Sequence, residues 1–96
     1  MKMVKIALNT DYGGFGLNAK GTERFEELAG EAFDRSRHSR TNRHLIQVIE
    51  EGGGKANVTI EELPEGTEYL IDEYDGSEWI VRRDEMRWKK ARVTDR

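Results

Sequence analysis

Asp75-Gly76 stands between two strand-like runs, around residues 67–73 and 77–82, and no other feature limits the fold as much. Asp-Gly between such runs is a strong signal for a β-hairpin, because the tight turn requires positive φ. Two registers follow from two loop lengths. A two-residue loop pairs Ile71 with Ile80 and sets Asp72 beside Trp79. A three-residue loop with a left-handed Gly76 pairs Ile71 with Trp79 and Tyr69 with Val81. The second gathers four large apolar groups on one face and turns Asp72 and Glu78 to the other, so it is the expected register. It leaves Leu70 and Ile80 together on the outer face.

The rest of the chain divides by hydrophobic period. Val4, Ile6 and Leu8 alternate with polar or small neighbours and predict a strand over 3–9. Phe25, Leu28, Ala29, Ala32 and Phe33 fall at helical spacing and predict a helix over 19–33. Asn18 is suited to cap it, while Gly21 is a weak spot that would delay its start until Thr22. The segment 35–40 has no apolar residue and reads as an exposed connection. Thr41 or Asn42 can cap a second helix over 43–51 carrying Leu45, Ile46, Val48 and Ile49, stopped by the glycines at 52–54. Strands over 57–63, 67–73 and 77–82 complete the chain.

The order strand, helix, helix, strand, strand, strand predicts an α+β domain: a small antiparallel sheet of about four strands with both helices packed on one face. Only 20 of 96 residues are Leu, Ile, Val or Phe, so the core is small and residues 1–96 form one domain. Ile6, Leu8, Phe25, Leu28, Phe33, Ile49, Ile60, Ile71 and Trp79 are its expected members. The basic tail over 84–96 is expected to fray, with Met86 and Trp88 as its only large anchors. No apolar run is long enough to span a membrane, and the absence of Cys suits a reducing compartment, so a cytoplasmic setting is expected.

Ile6-Ala7-Leu8-Asn9-Thr10-Asp11-Tyr12-Gly13-Gly14-Phe15-Gly16-Leu17 resembles the opening of a family of small uncharacterised proteins common in bacteriophage and prophage genomes. Leu45 to Glu51, Ile60 to Pro64 and Glu73 to Ile80 resemble the same family. This chain departs from its pattern at Asn18, where the family usually has Ser, and at Arg40-Thr41-Asn42, where it usually has Arg-Asp-Pro. The resemblance implies a phage-type accessory protein acting in the host cytoplasm, and it supplies no activity.

Charge is segregated along the chain. Residues 35–44 hold four Arg and no acid, residues 45–81 one Lys against ten acids, and residues 82–96 seven bases against three acids. Arg35, Arg37, Arg40 and Arg43, together with Arg87, Trp88, Lys89 and Lys90, could follow a nucleic-acid backbone. The overall pI of about 5.4 argues against that reading and makes it the alternative. The acids Glu61, Glu62, Glu65, Glu68, Asp72, Glu73, Asp75 and Glu78 could instead form a phosphate-like row on one sheet face.

Gly13, Gly14 and Gly16 match no phosphate-binding spacing, and Asp11 would repel a phosphate. That loop is expected to hold Tyr12 or Phe15 against the core, or to offer one of them to a partner. No nucleophile–base pair and no set of metal ligands is recognisable, so no enzyme, cofactor or metal is expected. The favoured reading is a non-enzymatic protein that binds a host protein, as an inhibitor or modulator of host machinery, with a second copy of the chain as another candidate partner. Its expected contact residues are Leu70 and Ile80, rimmed by Asp72 and Glu78, with Tyr12 and Phe15 as a second place of contact.

Overall fold

The computed structural model describes residues 2–11 and 14–83. Strand β1 (Met3–Asn9) is followed by helices α1 (Ala19–Ala29) and α2 (Arg43–Glu50) and strands β2 (Val58–Pro64), β3 (Tyr69–Tyr74) and β4 (Ser77–Arg82). The α+β class and the element order are those expected. The expected single sheet is not formed: β1 pairs antiparallel with β2, and β3 with β4, as two separate two-stranded ribbons.

The reason lies at the free edge of β1. The Ala7 N–H donates to the Arg40 carbonyl at 2.9 Å, and the Asn9 N–H donates to the Glu78 carboxylate at 2.8 Å. Those edge groups are therefore satisfied without a third strand, and the hairpin covers a face of β1 instead of extending its ladder. In antiparallel pairing, opposed residues share a face. Val4, Ile6 and Leu8 lie with Leu63 on one face of the β1–β2 ribbon, where Ile71 and Ile80 of the hairpin pack. Ala7 lies with Val58 and Ile60 on the other, against Phe25, Leu45, Ile46 and Val48 of the helices. The order is thus helices, ribbon, hairpin. The alternating aliphatic face of β1 meets the hairpin, whereas the single methyl of Ala7, fully buried, meets the helical layer.

The helices are joined by a backbone contact. A Cβ on Gly21 would stand 1.9 Å from the Gly53 carbonyl oxygen, and one on Gly53 would stand 2.7 Å from Gly21 Cα. Asn18 seals the same junction. Its side-chain oxygen accepts from the Gly21 N–H at 2.8 Å, and its amide donates to the Gly52 and Gly54 carbonyls at 3.0 and 3.2 Å. Gly21 is therefore inside α1 and not before it, because closeness to the glycine loop replaces the propensity it lacks. The helix stops at Ala29 and not at residue 33, since Gly30 takes the left-handed cap (φ 75°) and bonds back to the Glu26 carbonyl. Phe33 still reaches the core from the following loop, edge-on to Phe25 with ring centroids 5.3 Å apart, while Ala32 is exposed. Asn42 caps α2, its side chain accepting from the His44 and Leu45 N–H groups.

Ile6, Leu8 and Phe25 are fully buried as expected, while Leu28, Phe33, Ile49, Ile60 and Ile71 are half-buried. Trp79 does not belong to the core: it is 42% exposed. The segment 35–40 is likewise not wholly exposed. His38 is buried between Phe33 and Phe25, with Nε2 2.6 Å from Glu31. No helix among the described residues is long and apolar enough to cross a membrane. The expected tail over 84–96 lies outside the described residues.

Candidate functional site

Asp75 (φ 53°) and Gly76 (φ 88°) both take left-handed conformations, so the hairpin closes with a two-residue turn of the primed type that suits strand twist. The pairs are Tyr69–Arg82, Leu70–Val81, Ile71–Ile80, Asp72–Trp79, Glu73–Glu78 and Tyr74–Ser77. The expected three-residue register is therefore wrong by one residue on β4. The slip exchanges the faces of that strand. Ile80, expected outside, packs with Ile71 on the inner cluster, and Trp79, expected inside, comes out beside Leu70.

The outer face of the hairpin thus carries Leu70, Val81, Asp72, Trp79, Tyr74 and Ser77. Leu70 is 44% exposed and Tyr74 79%. Asp72 sits between Leu70 and Tyr74 on this face, and its carboxylate accepts from the Glu73 N–H at 2.8 Å. Glu68 forms an ion pair with Arg83 at the open end of the hairpin. The resulting surface is an apolar patch with one carboxylate, that of Asp72, between Leu70 and Tyr74.

Glu78 is not a rim residue of that face. It points inward and makes a two-pronged ion pair with Arg40, at 2.7 and 3.0 Å, while also accepting from the Asn9 N–H. Burial alone would raise its pKa. The Arg40 and Asn9 hydrogen bonds and the charges of Arg40 and Arg35 outweigh burial and hold it below the usual carboxylate range. Arg40 also donates to the Ala7 carbonyl and lies over the Phe15 ring, 3.7 Å from its centroid. Phe15 is itself buried, so of the two aromatics expected in the glycine loop this one serves the core. Tyr12 lies outside the described residues. A second clasp works at the turn, where the Asn9 amide donates to the Gly76 carbonyl at 2.8 Å.

The basic residues are dispersed in their roles. Arg40 is drawn into the clasp, Arg37 approaches Glu31 at 3.3 Å, and Arg35 and Arg43 stay exposed. Arg87, Trp88, Lys89 and Lys90 lie outside the described residues. The acids do not form one row either. Glu61 faces the hairpin side of the ribbon opposite Ile6, Glu62 the helix side opposite Lys5, and Glu73 and Glu78 the inner side of the hairpin. Among the described residues, no three His, Asp or Glu side chains converge as metal ligands.

Leu70 and Asp72 were legible in the sequence as surface residues, whereas Trp79, Tyr74 and Val81 were not placed there. The signal that would have found them is Asp75-Gly76 itself, read as a complete two-residue turn. Compared with protein-family models, with curated proteins and with solved structures, the chain matches none.

Proposed function

We propose that this chain is a non-enzymatic binding protein that docks on a host protein through the outer face of the β3–β4 hairpin. The observation that carries this is the side-by-side exposure of Leu70, Trp79 and Tyr74 on one face of a short ribbon. Large aromatics with an aliphatic neighbour are the residues that anchor protein contacts. Ile71 and Ile80 fill the inner side of the ribbon, so these outer side chains are not what attaches it to the fold. The carboxylate of Asp72, amid these side chains, favours a partner with a basic group at an apolar depression. The resemblance to small phage proteins supports an accessory role and supplies no activity; inhibition or modulation of host machinery by occupying a surface is the part we propose.

The test is capture from bacterial lysate, with and without nuclease, by wild type and by Leu70→Glu plus Trp79→Ser. The expected result is a partner retained by wild type and lost by the double variant at an unchanged melting temperature. Equal retention by both chains rejects the face as the contact. Retention that vanishes with nuclease or rises steeply at low salt supports instead the nucleic-acid reading through Arg35, Arg37 and Arg43.

A further inference from the structure

The edge of β1 is closed along only half of its length. The Thr10 N–H donates to Asn57 and the Lys2 carbonyl accepts from the Glu65 N–H, so the even-numbered residues of this strand turn toward β2. Odd-numbered residues turn the other way, as the bonds of Ala7 to Arg40 and of Asn9 to Glu78 confirm. Arg40 acts there as a strand one residue long: its carbonyl accepts from Ala7 N–H, and its guanidinium donates to Ala7 O. The chain then leaves the edge, because Asn42 caps α2. The next two edge positions, Lys5 and Met3, have no backbone partner on this side among the described residues.

A groove of about 400 Å³ runs beside these two positions, between the strand and α2. Lys2, Met3 and Arg43 line it with Ile46 at the helix side, and Met3 is 48% exposed. The Lys5 ammonium is held at 2.6 Å by Glu50 of α2, so this side chain lies toward the helix and not across the edge. Glu65 also lines the groove, but its amide is fixed to Lys2 on the β2 side.

We propose that the Met3–Lys5 edge is a strand-addition site for an extended acidic segment of a partner protein. The segment's backbone continues the ladder that Arg40 begins, and its carboxylates meet Lys2 and Arg43. An unpaired edge with both donors and acceptors exposed recognises peptide backbone, and side-chain charge chooses among peptides. A second copy is the poorer occupant. Two β1 edges paired antiparallel about Val4 would set Lys5 opposite Met3 and Lys2 opposite Ile6 of the other copy, so Lys2 would meet no carboxylate across the pair. This surface is separate from the hairpin face, which lies on the other side of the inner aliphatic cluster.

The test uses the full chain, labelled with 15N, and three sets of octapeptides in which Val and Thr alternate with Glu, Gln or Lys. The Glu peptides are expected to bind best, to shift the Met3 and Lys5 amide resonances first, and to slow hydrogen exchange at Lys5. N-methylation of the alternate peptide amides that face the edge should weaken binding about tenfold, and methylation of the other set should change it little. Lys2→Glu with Arg43→Glu should move the preference to the Lys peptides. Failure of all three sets to bind at millimolar concentration overturns the proposal, as does equal binding of the three. Shifts centred on Leu70 and Trp79, indifference to N-methylation, or dimerisation through β1 without peptide overturn it as well.

Discussion

The two faces of β1 are buried by different means. On the helical face a fully buried Phe25 is surrounded by Phe33, His38 and His44, and Gly21 of α1 meets the backbone of Gly53 in the loop after α2. On the hairpin face Ile6, Leu8 and Leu63 meet two half-buried isoleucines, and a polar clasp of Arg40, Glu78 and Asn9 completes the attachment. The first face rests on shape. The second divides its stability between a small apolar patch and a partly buried ion pair, and such a pair depends on both of its members being present. The comparison implies that the helical layer fails as a whole, whereas the hairpin can be loosened by itself.

The strongest test of that difference is Phe25→Ala, which should cost about 3–5 kcal/mol. A domain of this size holds only about 5–15 kcal/mol, so far-UV and near-UV signals should be lost together at a much lower melting temperature. Loss of the hairpin signal alone would reverse the assignment of the two layers.

Next in size is Arg40→Leu. It leaves the Glu78 carboxylate and one bond of the Ala7 carbonyl without their partner, and a penalty of about 2–4 kcal/mol is expected. The loss should appear first at the hairpin, as faster amide exchange in β3 and β4 and altered Trp79 fluorescence, while exchange in α1 stays slow. Uniform exchange across the chain would show that the clasp does not act locally.

Gly21→Ala is a test of sign. Helix propensity alone predicts stabilisation by about 1 kcal/mol. The Cβ would fall 1.9 Å from the Gly53 carbonyl oxygen, so a net loss of about 1–3 kcal/mol is expected instead. A raised melting temperature would mean that the glycine junction opens without cost.

The clasp should also make stability depend on pH in one direction. Glu78 binds a proton more weakly in the folded chain than in the unfolded one, because its folded pKa is depressed. Its contribution is therefore complete above the ordinary Glu value of about 4.3 and is lost as pH falls through the lower folded value. Melting temperatures of wild type should fall in that acid range more than those of Glu78→Gln, and parallel curves would remove Glu78 from the account. Smallest of all is Trp79→Ser. Its stability should stay within about 0.5 kcal/mol of wild type, as for an exposed site, and a large loss would return Trp79 to the core.

Local chemistry in the sequence determined the number, type and order of the elements: the alternation over Val4, Ile6 and Leu8, the stripe through Phe25, the caps at Asn18 and Asn42, and the Asp75-Gly76 turn. Each of these acts within a few residues, so each can be read from spacing. Burial and sheet membership were decided by groups far apart in sequence. Arg40 sits in a basic stretch that reads as solvated, yet Phe15, Ala7 and Glu78 converge on it, and Arg40 and Glu78 take the place of a third strand beside β1. Gly21 reads as a defect in a helix until Gly53 arrives beside it. Trp79 reads as core because it is large and apolar, and only the turn geometry, which slips β4 by one residue, turns it outward. A periodic pattern fixes which side chains share a face, but not which face finds a partner, and that choice rests on contacts that the chain makes only when folded.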